Sequence, residues 1–558
     1  MTVAATRGAS NATRACLMLA VALGGSACGR RVDQPLPAPA IGSRATGVDV
    51  QSYRFELTLP DGGRSIRGRA SITVVKDADV DSLRLDLLLP VDSVIAGGVA
   101  IRFTQHGGRL SIPFATGTPD TTTVTVMYHG APDDGLIISH DQRGHWQAFG
   151  DNWPNRARHW LPTVDHPSDK ALVEWTISAP DSLTVVANGA LLGKTSANGR
   201  STWHWRESRP LPTYLMVIAA AELVAHPVAD ARCVFIETGG CLQQTVYASA
   251  DPGVPVPRAF SSAGDIAGFY ASFVAPFPYE KLAHVESTTI FGGMENASAI
   301  FYADQAFRNG TMSTRLIAHE TAHQWFGDAV TEREWAHLWL SEGFATYFAE
   351  LYSEHAFGHD TLVAHMRTFR QGLLADSEVV RVRPVIDTAQ TDYTRLLNAN
   401  SYDKGAFVLH MARAVLGDSA FFQGVRSYYL AHRHGNSVSD DLRVAFEGVS
   451  GRDLRWFFDQ WLRRPGYPEV ATTWSYDRAA RRVYLVLNQR PRFGNFRFPL
   501  VVEVERADGV VVRATVEVPA APSTHLELPL ALDASPRRVR LDPDAQLLAD
   551  LDPPREQR

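Results

Sequence analysis

Between residues 46 and 225 apolar and polar positions alternate in short runs, such as "SYRFELTLP" (52–60) and "TTTVTVMYHG" (121–130), broken by Gly, Pro and Asp. A period of two sends successive side chains to opposite faces of a strand, so this region predicts an antiparallel β domain. From about residue 242 the period lengthens to that of helices, as in "STRLIAHETAHQWFGDAV", "WLSEGFATYFAELYSEHAFG" and "YDKGAFVLHMARAVLG". After "LRWFFDQWLRRPGYPEV" alternation returns: Phe496, Phe498, Leu500, Val502 and Val504 sit two apart, and Asp508-Gly509 offers a tight turn before "VVVRATVEV". A chain of 558 residues is too long for one hydrophobic core. The expectation is a multidomain α+β protein, with an N-terminal β domain at 46–227, a mainly helical domain at 228–465 and a C-terminal β domain at 466–558.

The first 45 residues follow neither pattern. Arg7 and Arg14 precede "ACLMLAVALGG", an apolar run too short to span a bilayer that ends in small residues before Cys28. Residues 1–27 therefore read as an export signal, and 28–45, rich in Pro and Gly, as a flexible tether. "LGGSAC" resembles a bacterial lipoprotein signal, which implies membrane anchoring through a lipidated Cys28; simple cleavage after Ala27 is the alternative. Either way the expected location is the bacterial cell envelope, periplasmic or as an outer-membrane lipoprotein. Export would place Cys233 and Cys241 in an oxidising compartment, where they could staple a short hairpin rather than remain two free thiols. The net charge of −6, from 54 basic and 60 acidic residues, provides no overall basic field for nucleic acid.

The chemistry concentrates in "IAHETAHQWFGD" (317–328). On a helix, residues i and i+4 share a face, so His319 and His323 point the same way with Glu320 beside them. Glu342 follows His323 by 19 residues, and a turn near Gly327-Asp328 would bring it onto that face. Two His and one Glu leave an open position on zinc for water, as a catalytic site requires. Glu320 then takes the role of general base toward that water. Upstream, "IFGGMENASAI" carries Gly292, Gly293, Met294, Glu295 and Asn296. Its Gly pair would let an extended peptide approach the backbone closely, with Glu295 facing it.

Taken together, G-x-M-E-N, H-E-x-x-H and the glutamate 19 residues on resemble the gluzincin metallo-aminopeptidases, the family of aminopeptidase N and leukotriene hydrolase. "RPLPTYLMVIAA" is similar to the end of that family's N-terminal β domain and "FFDQWLRRPGYPEV" to its link into a C-terminal β-sandwich. The resemblance implies a thermolysin-like catalytic domain with one zinc per chain on His319, His323 and Glu342. It implies Glu295 as the anchor for the free α-amine of a peptide, the Gly292–Asn296 segment as substrate-binding, with Met294 as a pocket wall, and Tyr402, before Asp403-Lys404-Gly405, as the catalytic tyrosine that stabilises the oxyanion. Peptides with a free N-terminus are the implied partners. Asp151 falls near the place of a glutamine that many relatives use on the substrate amine. Leu397 replaces the tyrosine of the epoxide-opening branch, so that reaction is not expected. The family's large helical C-terminal domain has no counterpart here, which would leave a more open cleft and admit longer peptides. Two rival readings remain: a zinc endopeptidase of the same fold, and a catalytically inactive cell-envelope peptide-binding protein.

Overall fold

The structure is a computed structural model in which residues 47–228 and 233–557 are described. The export signal, Cys28 and the tether lie outside the described residues.

The N-terminal part is β-rich. Its main sheet comprises β1 (Val48–Thr58), β2 (Ile66–Lys76), β3 (Val91–Ala96), β4 (Val99–Ile101), β5 (Thr121–Gly130), β6 (Lys170–Pro180), β7 (Ala190–Ala197) and β8 (Arg200–Pro212), in the order β7-β8-β6-β1-β2-β5-β3-β4. Alternate residues of β1 and β2, among them Phe55, Leu57, Ala70, Ile72 and Val74, are buried, which is what their period of two dictates. One pairing departs from the expected antiparallel arrangement: β1 runs parallel to β6, Ser52 opposite Leu172 through Thr58 opposite Ser178. Parallel neighbours need a long connection, and here more than a hundred residues intervene.

A five-stranded sheet follows: β9 (Val224–Pro227), β10 (Gln244–Ala248), β11 (Leu282–Ser287), β12 (Gly293–Met294) and β13 (Ala299–Ala303), in the order β9-β10-β11-β13-β12. β12, from the Gly-Gly-Met-Glu-Asn segment, is therefore an edge strand, antiparallel to β13. Cys233 and Cys241 form a disulfide across a short loop. That loop carries Glu237 onto Tyr429, Arg433, His434 and Arg209.

The middle is mainly helical. Helix α1 (Thr314–His323) starts at Ser313, whose hydroxyl accepts from the Leu316 amide as an N-cap. Its partner α2 (Trp339–Phe357) is buried along almost its whole circumference, consistent with its apolar, aromatic composition. Between them β14 (Val330–Glu332) pairs in parallel with β15 (Gly435–Ser437). Helix α3 (Gly405–Leu416) crosses α2 where Gly343 meets Gly405: a Cβ on either would stand about 3 Å from the other's backbone. Among the described residues, no helix is long and apolar enough to cross a membrane.

Beyond Leu462 two small sheets form, one around Glu469–Asp477 and Arg482–Gln489, the other centred on Phe498–Arg506. Leu500, Val502 and Val504 are buried as their alternation requires. Gly509 turns with φ +84° into Val511–Val518.

Candidate metal centre and substrate cleft

The last turns of α1 and the first turn of α2 bring three donor atoms together. His319 Nε2 and His323 Nε2 are 3.1 Å apart, and Glu342 Oε2 lies 3.4 Å from the first and 3.5 Å from the second. A tetrahedral zinc with bonds of about 2.0–2.1 Å separates its donors by roughly 3.3–3.4 Å, so this triangle has the size of one face of a zinc tetrahedron. Glu342 Oε2 is buried without a hydrogen-bond partner, a costly state that coordination would relieve. On the far side of His323, Nδ1 stands 3.2 Å from the Phe326 carbonyl and 3.0 Å from Ser341 Oγ. Donation from Nδ1 to that carbonyl leaves the Nε2 lone pair for a metal.

The electrostatics agree with a cation site. Burial depresses the pKa of His319 to about 4, with Glu342 opposing, so it presents a neutral lone pair. Burial acts the same way on His323, but Glu295, Glu342 and Glu320 outweigh it and push its pKa well up. The negative field that these carboxylates set up is of the sign that favours a cation. Burial opposes ionisation of Glu342, yet the two imidazoles overcome it and hold its pKa low. Burial raises the pKa of Glu320 and Glu295, with His323 opposing in both.

Glu320 lies against β12: a Cβ on Gly293 would fall 2.2 Å from its Oε1. A side chain at this position would require the Glu320 carboxylate, the far end of a flexible side chain, to shift. Glu295, Glu320 and His323 have donor atoms within 4.8 Å of one another, which places Glu295 at the His323 end of α1. Met294 is buried on β12, and Asn296 is fully buried with both amide atoms unpartnered. Gly292 has open space beside it. Tyr402 sits in a single π-helical turn, Asn400–Lys404, a local irregularity frequent at functional sites. Its ring lies nearly parallel to that of His319, centroids 6.1 Å apart. Burial, and next the Glu342 charge, raise its pKa well above that of a free phenol.

Asp151 is buried, and its carboxylate is bound to Arg156 at 2.5 Å and to Thr289 Oγ1 at 3.4 Å. Burial raises its pKa, with Arg156 opposing. Its charge still reaches Glu295, so it contributes to the acidic field while being tied to the loop that precedes β12.

Two supporting residues escaped the sequence reading. Gln324 donates to the Glu295 carbonyl and to Asp328 Oδ2, both at 2.8 Å, and accepts from the Ser298 amide at 2.7 Å. It bolts the Gly-Gly-Met-Glu-Asn segment to α1. Lys170 reaches in from β6 and donates to the carbonyls of Asp328, Ala329 and Gly435 at 2.8, 3.0 and 3.1 Å. Burial lowers its pKa to about 7 against the pull of Asp328 and Glu332. Gln324 adjoins the H-E-x-x-H motif and was visible there as a polar residue; Lys170 carried no local signal.

Comparison with known proteins agrees with this geometry. Residues 52–215 match the model of the peptidase M1 N-terminal domain and residues 261–461 that of the peptidase family M1 domain, together more than half of the chain. A leucyl aminopeptidase of Saccharolobus solfataricus is 24% identical over 486 residues, covering 82% of this chain and 59% of that protein. The chain spans about half the length of the curated relatives it matches. Among solved structures, an M1 zinc metallopeptidase variant from Deinococcus radiodurans superposes with a TM-score of 0.64 at 26% identity, covering 76% of this chain and 96% of that one. Legionella pneumophila aminopeptidase A in complex with aspartic acid, at 18% identity, shares the fold with a TM-score of 0.79 over 92% of this chain and 60% of its own.

Proposed function

The chain belongs to the M1 peptidase family, and on that premise we propose that it is a zinc-dependent aminopeptidase, removing residues from the N-terminus of peptides. The observation that carries this is the conjunction of a zinc-sized donor triangle with two buried carboxylates, Glu320 and Glu295, gathered beside its His323 corner. His319, His323 and Glu342 would hold the metal, which when bound supplies an acidified water and polarises the scissile carbonyl. Glu320 accepts the proton of the attacking water and returns it to the leaving amine. Tyr402 donates a hydrogen bond from its hydroxyl to the oxyanion. Glu295 binds the α-amine, and its fixed place at the His323 end restricts cleavage to the first peptide bond. β12, an edge strand, aligns an extended substrate by main-chain pairing, with Met294 and Asn296 beneath it and Gly292 leaving room for the backbone. Asp151 sets the preceding loop through Thr289 and adds to the negative field on the amine.

We further read the helical middle as thermolysin-like and the two C-terminal sheets as a β-sandwich, a reading supported by the buried rows Val483, Leu485, Leu487 and Leu500, Val502, Val504. Export to the cell envelope, with Cys28 as the site of lipidation, belongs to the same proposal; metabolic labelling with a fatty acid, lost in Cys28→Ser, tests it.

The test of the activity is one mixed-sequence peptide offered to the zinc-loaded protein with a free and with an acetylated N-terminus, followed by mass spectrometry. Stepwise loss of single residues from the free form alone is expected. Internal cuts in both forms would make the protein an endopeptidase, and no cleavage with zinc bound would make it a peptide-binding protein. Glu295→Ala should raise KM for free-amine peptides.

A further inference from the structure

The cleft has a direction, and it is written along α1. Glu295 stands at the level of His323, Tyr402 stacks at the level of His319, and one turn further toward the helix start, on the same face, is Arg315. Side-chain exposure rises in the same order, from 1% at His323 through 17% at His319 to 49% at Arg315. A peptide anchored by its amine at Glu295, with its first carbonyl between the two histidines, therefore leaves the site past Arg315.

Arg315 is built for more than solvent. Nε donates to Glu350 Oε1 at 2.6 Å, and the Glu350 side chain is fully buried. The other oxygen of Glu350 is taken by His365, so this carboxylate is fully occupied. The guanidinium lies over the Phe369 ring, 5.5 Å from its centroid. Asp403, beside Tyr402, is the further acid that feels its charge. One edge of the fork is thus clamped, while its two terminal nitrogens hold no hydrogen bond to protein among the described residues. A clamped guanidinium with a free edge is preorganised for a carboxylate.

Distance selects the ligand. From His323 to Arg315 the helix rises about 12 Å, and an extended tripeptide spans roughly 10 Å from amine to carboxylate, a difference within about one hydrogen-bond length. Resting on the aminopeptidase reading, we propose that Arg315 is a specificity-determining residue that binds the C-terminal carboxylate of tripeptide substrates. Longer peptides pass the same point without a terminus to offer.

The experiment compares a tripeptide with its C-terminal amide, on the zinc-loaded wild type and on Arg315→Gln and Arg315→Lys. The wild type should prefer the free acid by about tenfold or more in kcat/KM, mostly through KM, as one charge-assisted contact supplies. In Arg315→Gln the acid-to-amide ratio should fall toward one, and Arg315→Lys should restore part of it. Equal use of acid and amide by the wild type overturns the proposal without any variant, as does a preference that survives in Arg315→Gln. N-acetylated tripeptide is the control for the underlying reading: if it is cleaved at an internal bond, the aminopeptidase assignment has failed, whatever the ratio at the other end.

Discussion

Gly293 lies directly against the carboxylate of Glu320, so close that a Cβ would stand 2.2 Å from Oε1 and 2.4 Å from Cδ. The strand that would align the substrate and the base that would activate water are thereby in contact. Gly293→Ala should shift the Glu320 carboxylate, the mobile end of its side chain, and change kcat by no more than about severalfold, while metal content stays at one zinc per chain. Steady-state kinetics with elemental analysis decides; a much larger loss would mean the carboxylate cannot move without consequence.

Glu320 and Glu342 separate base from ligand. Glu320→Gln keeps the shape but cannot accept a proton, so kcat should fall by about a thousandfold or more with zinc retained, in the range expected for losing a general base with its water orientation. Glu342→Ala should instead lose zinc during dialysis against a weak chelator. Normal turnover in the first variant would remove Glu320 from the base role.

Lys404 tests burial by pH. It is fully buried, its ammonium donates to the Gly466 carbonyl at 3.1 Å, and burial lowers its pKa to about 7. The unfolded chain, with an ordinary lysine pKa near 10.4, holds a proton that the folded chain releases above pH 7. This group's contribution to stability therefore rises with pH between about 7 and 10. Relative to Lys404→Met, the wild type should gain up to about 3 kcal/mol from pH 7 to pH 9.5, read from denaturant midpoints. A difference that is flat or shrinks with pH would contradict it.

The disulfide predicts a loss confined to stability. Joining residues eight apart in sequence, it should contribute about 2–3 kcal/mol through loop closure. Cys233→Ser with Cys241→Ser should lower the melting temperature by several degrees. Reduction of the wild type should bring it to the same value, and no shift on reduction would show that the Glu237 contacts hold the loop unaided.

What was legible in the chain follows from range. His319, Glu320 and His323 declare themselves because helical spacing is local, and Phe496 to Val504 because strand alternation is. Glu342 needed only the short return through Gly327, whose amide donates to the Val330 carbonyl at 2.8 Å. By contrast, the parallel pairing of β1 with β6, Lys170 on Asp328, and Arg315 with Glu350 join positions far apart in sequence, where neither period nor spacing carries information. Asp151 illustrates the middle case. Its position could be counted from "LPTVDHP", but not that its carboxylate is held by Arg156.

Lys170 also bears on whether the helical part could ever stand alone. The three carbonyls it caps, together with the Ala297 carbonyl bound by Asn188 at 2.8 Å and the Gly327 carbonyl bound by Tyr214 at 3.2 Å, are buried or half-buried acceptors whose donors all come from the N-terminal β-rich part, Lys170 from its main sheet and Asn188 and Tyr214 from its turns. A fragment starting after residue 228 would expose or orphan each of them, at about 1–3 kcal/mol apiece for those left dry. The hydrolytic machinery is therefore not a cassette that recombination could lift out and graft elsewhere. It is inherited together with the sheet that completes its wall, or not at all.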